Sequence, residues 1–226
     1  PDCMNFPTGH YLHQGYDPTP YMGDSDVVLL LSSIAPWHPP SKGPGNECVI
    51  VDFNSDPNRD LKPYSGYRAS ISVPGEVGPG LKELLNAVKQ RSQALEQNAD
   101  LYAARAQSFR IEHQKRFRKL DEEAQAVSQN SPIHPIWASY LINKVVPDDA
   151  VVVQELIVHR RLLDAYLDRQ QPGGYKRSFG GLGQGLPNAL GIKLAHPEKL
   201  VIAVLGDGSF NYNPVHACFG LCQEYD

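Results

Sequence analysis

Apolar residues in this chain gather into short runs, broken by polar stretches, on either side of one long central block. Asp26-Val27-Val28-Leu29-Leu30-Leu31 and Cys48-Val49-Ile50-Val51-Asp52 are compact runs of the kind found in strands buried on both faces. The segment between them, Ala35-Pro36-Trp37-His38-Pro39-Pro40 and onward to Gly45, is rich in Pro and Gly and predicts a loop. Further on, Pro135 to Val145 predicts a helix, Ala150 to Val153 a strand, Leu186 to Leu194 a helix and Leu200 to Leu205 a strand. Strands alternating with helices define an α/β class with mainly parallel sheets.

The central block has a different character. Twelve of the 19 prolines lie before residue 80, whereas Leu81 to Asn130 contains neither Pro nor Gly and carries 16 charged residues. Without either breaker, this stretch predicts helix. Leu81, Leu84, Leu85 and Val88 recur with the i, i+3, i+4, i+7 spacing of a helix face packed on a core. From Leu101 to Val127 the apolar anchors thin out to Phe109, Ile111, Phe117 and Leu120, which predicts a largely exposed connecting helix. The chain thus divides into an α/β unit over 1–98, a helical connector over 99–130 and a second α/β unit over 131–226.

Composition narrows the functional classes. A formal net charge of −4 over 226 residues argues against a general nucleic-acid binder. Lys115, Arg116, Arg118 and Lys119 flank Phe117, but Glu112, Asp121, Glu122 and Glu123 surround them, so a solvated helix face is expected. No apolar run approaches 18 residues, so no membrane span is expected. The compartment is left open, with the cytoplasm as the default. Cys3, Cys48, Cys218 and Cys222 are too scattered for a disulfide framework or a zinc site, and the last two are expected as buried small hydrophobes.

Two glycine motifs carry the chemistry. The apolar run ending at Leu205 passes directly into Gly206-Asp207-Gly208-Ser209. In open α/β sheets ligands sit beyond the carboxyl ends of strands. There Gly206 and Gly208 let backbone amides approach a ligand, and Asp207 suits a Mg²⁺-bridged phosphate; an ordinary Gly-Asp-Gly turn is the competing reading. Upstream, Gly180-Gly181-Leu182-Gly183-Gln184-Gly185-Leu186-Pro187 leads into a predicted helix, with Pro187 suited to its first turn; a glycine-rich packing turn is the competing reading. Neither the dinucleotide pattern G-x-G-x-x-G nor the P-loop pattern occurs.

The stretch SFGGLGQGLPNALGIKLAHPEKLVIAVLGDGSFNYN resembles the cofactor-binding domain of thiamin-diphosphate-dependent enzymes, nearest to benzoylformate decarboxylase and acetolactate synthase-like proteins. DSDVVLLLSSIAPWHP and VIVDFNSDP resemble the central domain of the same group. The resemblance implies that Asp207 coordinates Mg²⁺ and that Gly208 and Ser209 line the diphosphate. It implies that the Gly180 carbonyl accepts a hydrogen bond from the aminopyrimidine. It also implies that Leu182 sits beneath the bent cofactor and holds its 4′-amino group near C2, the carbon that attacks a 2-oxo acid. His38 roughly matches a loop in which benzoylformate decarboxylase carries an active-site histidine, so the resemblance implies proton transfer as a role, with an exposed loop histidine the competing reading. Leu156, Ile157 and Val158 stand about where the decarboxylase has hydroxyl contacts to the diphosphate, so that contact is not expected here; His159 and Arg160 are read as a solvated helix start, with substitution for the hydroxyls as the other reading.

The implied activity is decarboxylation or carboligation of a small 2-oxo acid by a homodimer or homotetramer. FAD is not implied. The family's second metal ligand, an Asn, and its activating Glu fall outside these 226 residues, so the chain is expected to be the middle of a longer enzyme and inactive alone. The alternative expectation is a non-catalytic relative with a structural or assembly role.

Overall fold

The computed structural model describes residues 8–33, 37–56, 69–178 and 181–225. Its contacts divide the chain into two units, Tyr16–Ala104 and Arg105–Asp226 together with the segment ending at Gly15. Both are α/β with parallel sheets, the class expected from the alternating pattern. The division falls within the long helix rather than beside it. Among the described residues, no helix is long and apolar enough to cross a membrane.

The Tyr16–Ala104 unit opens with a single helical turn, α1 (Thr19–Met22), and then builds a three-stranded sheet. β1 (Val27–Leu31) and β3 (Ile71–Pro74) flank β2 (Val49–Asn54) in parallel, with Val27 opposite Val49 and Val51 opposite Ile71. Met22, Val28, Leu30, Cys48 and Ile50 form its core, with Trp37 packed against them. Ile71–Pro74 is too short and too interrupted to read as a strand; pairing with β2 makes it one.

Next come α2 (Val77–Lys89), α3 (Ser92–Gln97) and α4 (Ala99–Ala126), so the breaker-free block is helical but broken twice. Gly80 lies so close to the Phe53 ring that a Cβ there would overlap it, which seats α2 beside β2. The expected burial of the α2 stripe is not observed. Leu84, Leu85 and Val88 are exposed, Leu85 at 52%, because only the start of α2 meets the sheet. Spacing set the stripe, but burial needs an opposing surface.

From Arg105 onward α4 belongs to the other unit and is less bare than its composition suggests. Phe109, His113, Arg116, Phe117, Leu120 and Ala124 recur along one face and are shielded, while Ile111, expected as an anchor, is exposed. Residues 8–14 lie along that face. Gln14 Nε2 donates to the Phe109 carbonyl at 2.9 Å, Arg116 Nη2 to the His13 carbonyl at 3.0 Å, and the His113 ring meets the Thr8 carbonyl at 3.0 Å. Burial, then the Arg116 charge, holds the His13 imidazole below its usual range. Thr8 Oγ1 and Gln170 Nε2 both donate to Asp168, tying the same segment to the loop after the next strand and helix. Tyr166 OH donates to the Leu120 carbonyl at 3.0 Å.

α5 (Pro135–Val145) starts with Pro at its first position and the His134 ring accepting from the Ile136 N–H, both standard helix openings. β4 (Val151–Glu155) is central in the second sheet and wholly buried, which explains its unbroken Val run. β5 (Tyr175–Arg177) and β6 (Val201–Leu205) flank it in parallel, with Glu155 opposite Leu205. Val152 packs with Leu163, Leu167 and Tyr175 on the side of α6 (Arg160–Tyr166). Val151 and Val153 pack with Ala189 on the side of α7 (Gly185–Ala195). Arg177 Nη2 and the Tyr175 hydroxyl both meet the buried Asp164 carboxylate, the former at 3.1 Å. Burial, then Asp164, pushes the Tyr175 phenol far above its ordinary value. α8 (Asp207–Tyr212) and α9 (Val215–Tyr225) complete the chain's described elements. In α9, Cys218 is buried as expected and burial raises its thiol pKa, whereas Cys222 is exposed, against expectation.

Candidate functional site

Because the sheet is parallel, β4 and β6 deliver their carboxyl ends to the same edge. Glu155 closes β4, Gly206 follows β6, and the Gly206 N–H donates to the Glu155 carbonyl at 3.2 Å. Both glycine motifs meet here, as the rule for ligand crevices in open sheets requires.

What joins them is Glu155, which the sequence reading passed over. The residue is only 5% exposed, and its carboxylate accepts four hydrogen bonds. Oε1 accepts from the Gly183 N–H at 2.6 Å and the Gln184 N–H at 3.3 Å. Oε2 accepts from the Gly185 N–H at 2.8 Å and Asn213 Nδ2 at 3.0 Å. Burial acts to raise the Glu155 pKa, but the bonds from Asn213, Gly185, Gly183 and Gln184 together outweigh it, and the net shift is downward. A signal was available: a carboxylate ending a strand that opens with three valines needs partners once the strand is buried. The partners lie 28 to 58 residues away in sequence, so no local pattern names them.

Two glycines make the approach possible. A Cβ on Gly185 would stand 2.7 Å from Glu155 Oε2 and 2.9 Å from Glu155 Cβ. Gly183 has φ +91° and faces the Tyr212 carbonyl so closely that a Cβ would collide with it. The spacing of the glycines is therefore set by packing on Glu155 and Tyr212.

The anticipated site residues fall out as follows. Gly206 caps α8, and Asp207 and Gly208 open it, both exposed. Asp207 has no hydrogen bond or ion pair among the described residues. A Cβ on Gly208 would meet nothing within 4 Å, so the backbone there is open to a ligand. Ser209 is buried, and its carbonyl accepts from Asn213 Nδ2 at 2.7 Å. Leu182 is 41% exposed at the tip of the glycine loop. Gly180 lies outside the described residues. His38 is exposed and lies in the Tyr16–Ala104 unit, whereas the glycine motifs lie in the other. Ile157 and Val158 are exposed, and His159 caps α6 through its backbone alone.

For a magnesium diphosphate, the fit rests on this donor set. Asp207 offers a free carboxylate, and the side-chain-free backbone of Gly206 and Gly208 leaves room beside it. No group of three His, Cys, Asp or Glu side chains forms a metal cluster among the described residues. A cavity of about 590 Å³ in the Tyr16–Ala104 unit, lined by Trp37, Asn46, Cys48, Ile50 and Ser70 among others, includes none of the anticipated residues.

Comparison with known proteins finds a match over the stretch that contains both glycine motifs. Residues 158–224 match the family model described as thiamine pyrophosphate enzyme, C-terminal TPP binding domain. Over that stretch the chain is similar to the thiamin-diphosphate-dependent enzymes, as the glycine motifs led us to expect. Over 219 residues it is 26% identical to a benzoylformate decarboxylase of Pseudomonas aeruginosa, covering 92% of this chain and 36% of that one. Over 215 residues it is 24% identical to the acetolactate synthase isozyme 3 large subunit of Escherichia coli, covering 89% of this chain and 34% of the relative. The chain thus spans about a third of the length of these relatives. A thiamine diphosphate-dependent 4-hydroxybenzoylformate decarboxylase from Rhodococcus jostii shares its fold with a TM-score of 0.56 at 22% identity, over 94% of this chain and 37% of that one.

Proposed function

We propose that this chain forms part of an enzyme that uses thiamin diphosphate and Mg²⁺ to decarboxylate a 2-oxo acid, to join its acyl carbon to a second carbonyl, or both. The observation that carries the reading is the edge itself. An exposed, unpartnered Asp207 stands in an open glycine turn, beside a second glycine loop held by Glu155.

In this reading Asp207 holds the metal, and the backbone of Gly206 to Ser209 faces the diphosphate. Leu182 presses on the cofactor from the glycine loop, with the carbonyl of Gly180 assigned to its aminopyrimidine. The bound cofactor supplies the carbon nucleophile. The protein's part is orientation: a rigid loop keeps Leu182 in place, and proximity of that kind is worth several kcal/mol in well-oriented reactions, on the order of 7–11 at most. His38 is the candidate for moving a proton to or from the substrate. A homo-oligomer is part of the proposal for the full-length protein, and the chain by itself is inactive in this reading.

The test is direct. The full-length parent protein is incubated with thiamin diphosphate, Mg²⁺ and either pyruvate or benzoylformate, and products are followed by NMR. Acetolactate supports a synthase, and an aldehyde supports a decarboxylase. A protein that binds no thiamin diphosphate overturns the proposal in favour of a non-catalytic relative.

A further inference from the structure

We infer that Glu155 is a positioning residue that locks the glycine loop and the Gly206–Asn213 segment into one unit. Which ligand the two segments meet rests on the reading above, but their coupling is a property of the chain alone.

The bonds form a closed ring. Three of the four donors to Glu155 come from the loop, at Gly183, Gln184 and Gly185, and the fourth is Asn213 at the end of α8. Asn213 then reaches both ways: its Oδ1 accepts from the Leu186 N–H at 3.0 Å, and its Nδ2 donates to the Ser209 carbonyl at 2.7 Å. Every polar atom of the Asn213 amide is engaged, and the residue is buried. Opening either segment therefore strands polar groups of the other away from water, which is costly.

The ring also explains why the residue is a glutamate. All four partners are donors, so both carboxylate oxygens must accept. A glutamine is nearly the same shape, but its amide nitrogen would replace one oxygen. Whichever way the amide turned, two N–H donors would then face an NH₂ group. Leu182, at the tip of the loop, and Asp207, in the other segment, thereby acquire a fixed relation although neither touches Glu155 in any hydrogen bond. The carboxylate acts through the two segments and has no chemical role.

Hydrogen exchange followed by mass spectrometry on the full-length protein tests this, with and without thiamin diphosphate and Mg²⁺. The variants are Glu155→Gln, Asn213→Ala and, as a control for general destabilisation, Leu163→Ala, which removes a side chain buried in the same unit on the other side of β4. Without cofactor, Glu155→Gln and Asn213→Ala are each expected to raise exchange at least about tenfold over 183–186 and over 209–213 together, while Leu163→Ala leaves the ratio between these peptides and the rest of the unit unchanged. With cofactor saturating, Glu155→Gln is expected to slow exchange of the cofactor's C2 proton about tenfold, and Leu163→Ala to leave it unaltered. A response in only one of the two segments, or none in either, overturns the coupling. Should Glu155→Gln not fold, Asn213→Ala decides the matter by the same readout. A wild-type protein that binds no thiamin diphosphate sinks the cofactor reading alone, since the exchange comparison without cofactor still decides the ring.

Discussion

Gly183 presses against the Tyr212 carbonyl with φ +91°, and a Cβ at that glycine would come within 3.0 Å of the Tyr212 carbonyl carbon and nearer still to its oxygen. The contact ties the middle of the glycine loop to the end of α8 through backbone rather than side chain, so it has no flexible part that could give way.

Gly183→Ala should therefore be doubly penalised, by the left-handed backbone and by the collision. About 1–3 kcal/mol of destabilisation is expected from the backbone alone. Thermal unfolding of wild type and variant measures it; an unchanged midpoint would show that the loop can move away from Tyr212.

The Asp207 side chain is exposed and has no partner among the described residues, so its removal should leave the fold intact. Asp207→Ala is expected to abolish Mg²⁺-dependent binding of thiamin diphosphate in the full-length protein without shifting its unfolding midpoint. Calorimetric titration gives the answer, and unchanged affinity would remove the metal assignment.

Leu182 protrudes from a loop whose anchors are its neighbours Gly183, Gln184 and Gly185. Leu182→Gly should leave cofactor affinity largely intact while slowing exchange of the cofactor's C2 proton. NMR on the bound cofactor follows that exchange; a normal rate would mean that Leu182 does not orient the ring.

The depressed pKa of Glu155 has a definite sign in stability. A carboxylate more acidic when folded than when unfolded stabilises the protein fully above the unfolded value, near 4.5. That contribution is lost as the pH falls from there through the folded value. The stability difference between wild type and Glu155→Gln should accordingly shrink below about pH 4.5, as Glu155 itself protonates. Denaturant unfolding at pH 7, 5, 4 and 3 tests it, and a pH-independent difference would contradict the charged clasp.

Much of the architecture was legible in local pattern. The apolar runs at Val27–Leu31 and Ala150–Val153 announce parallel strands, but only the second is buried on both faces, since Val27 and Leu29 leave one face of β1 exposed; the helix over Pro135–Val145 is bounded as its proline and spacing require. Ile71–Pro74 and Tyr175–Arg177 were not legible. Four- and three-residue strands have no period of their own and exist only because β2 and β4 offer edges to pair with. The α2 stripe shows the opposite failure: Leu84, Leu85 and Val88 have helical spacing, and the fold leaves them exposed.

The sequence by itself determined the α/β class, the two glycine motifs and the resemblance they carry. All of these reside in contiguous residues whose propensities act over a few positions. Only the tertiary structure decided what the glycines are for. Glu155, Gly183 and Asn213 are far apart along the chain, and their meeting depends on parallel strands delivering β4 and β6 to one edge. A hydrogen bond acts over about 3 Å whatever the separation in sequence, so a buried carboxylate's partners are known only once the fold has brought them to it.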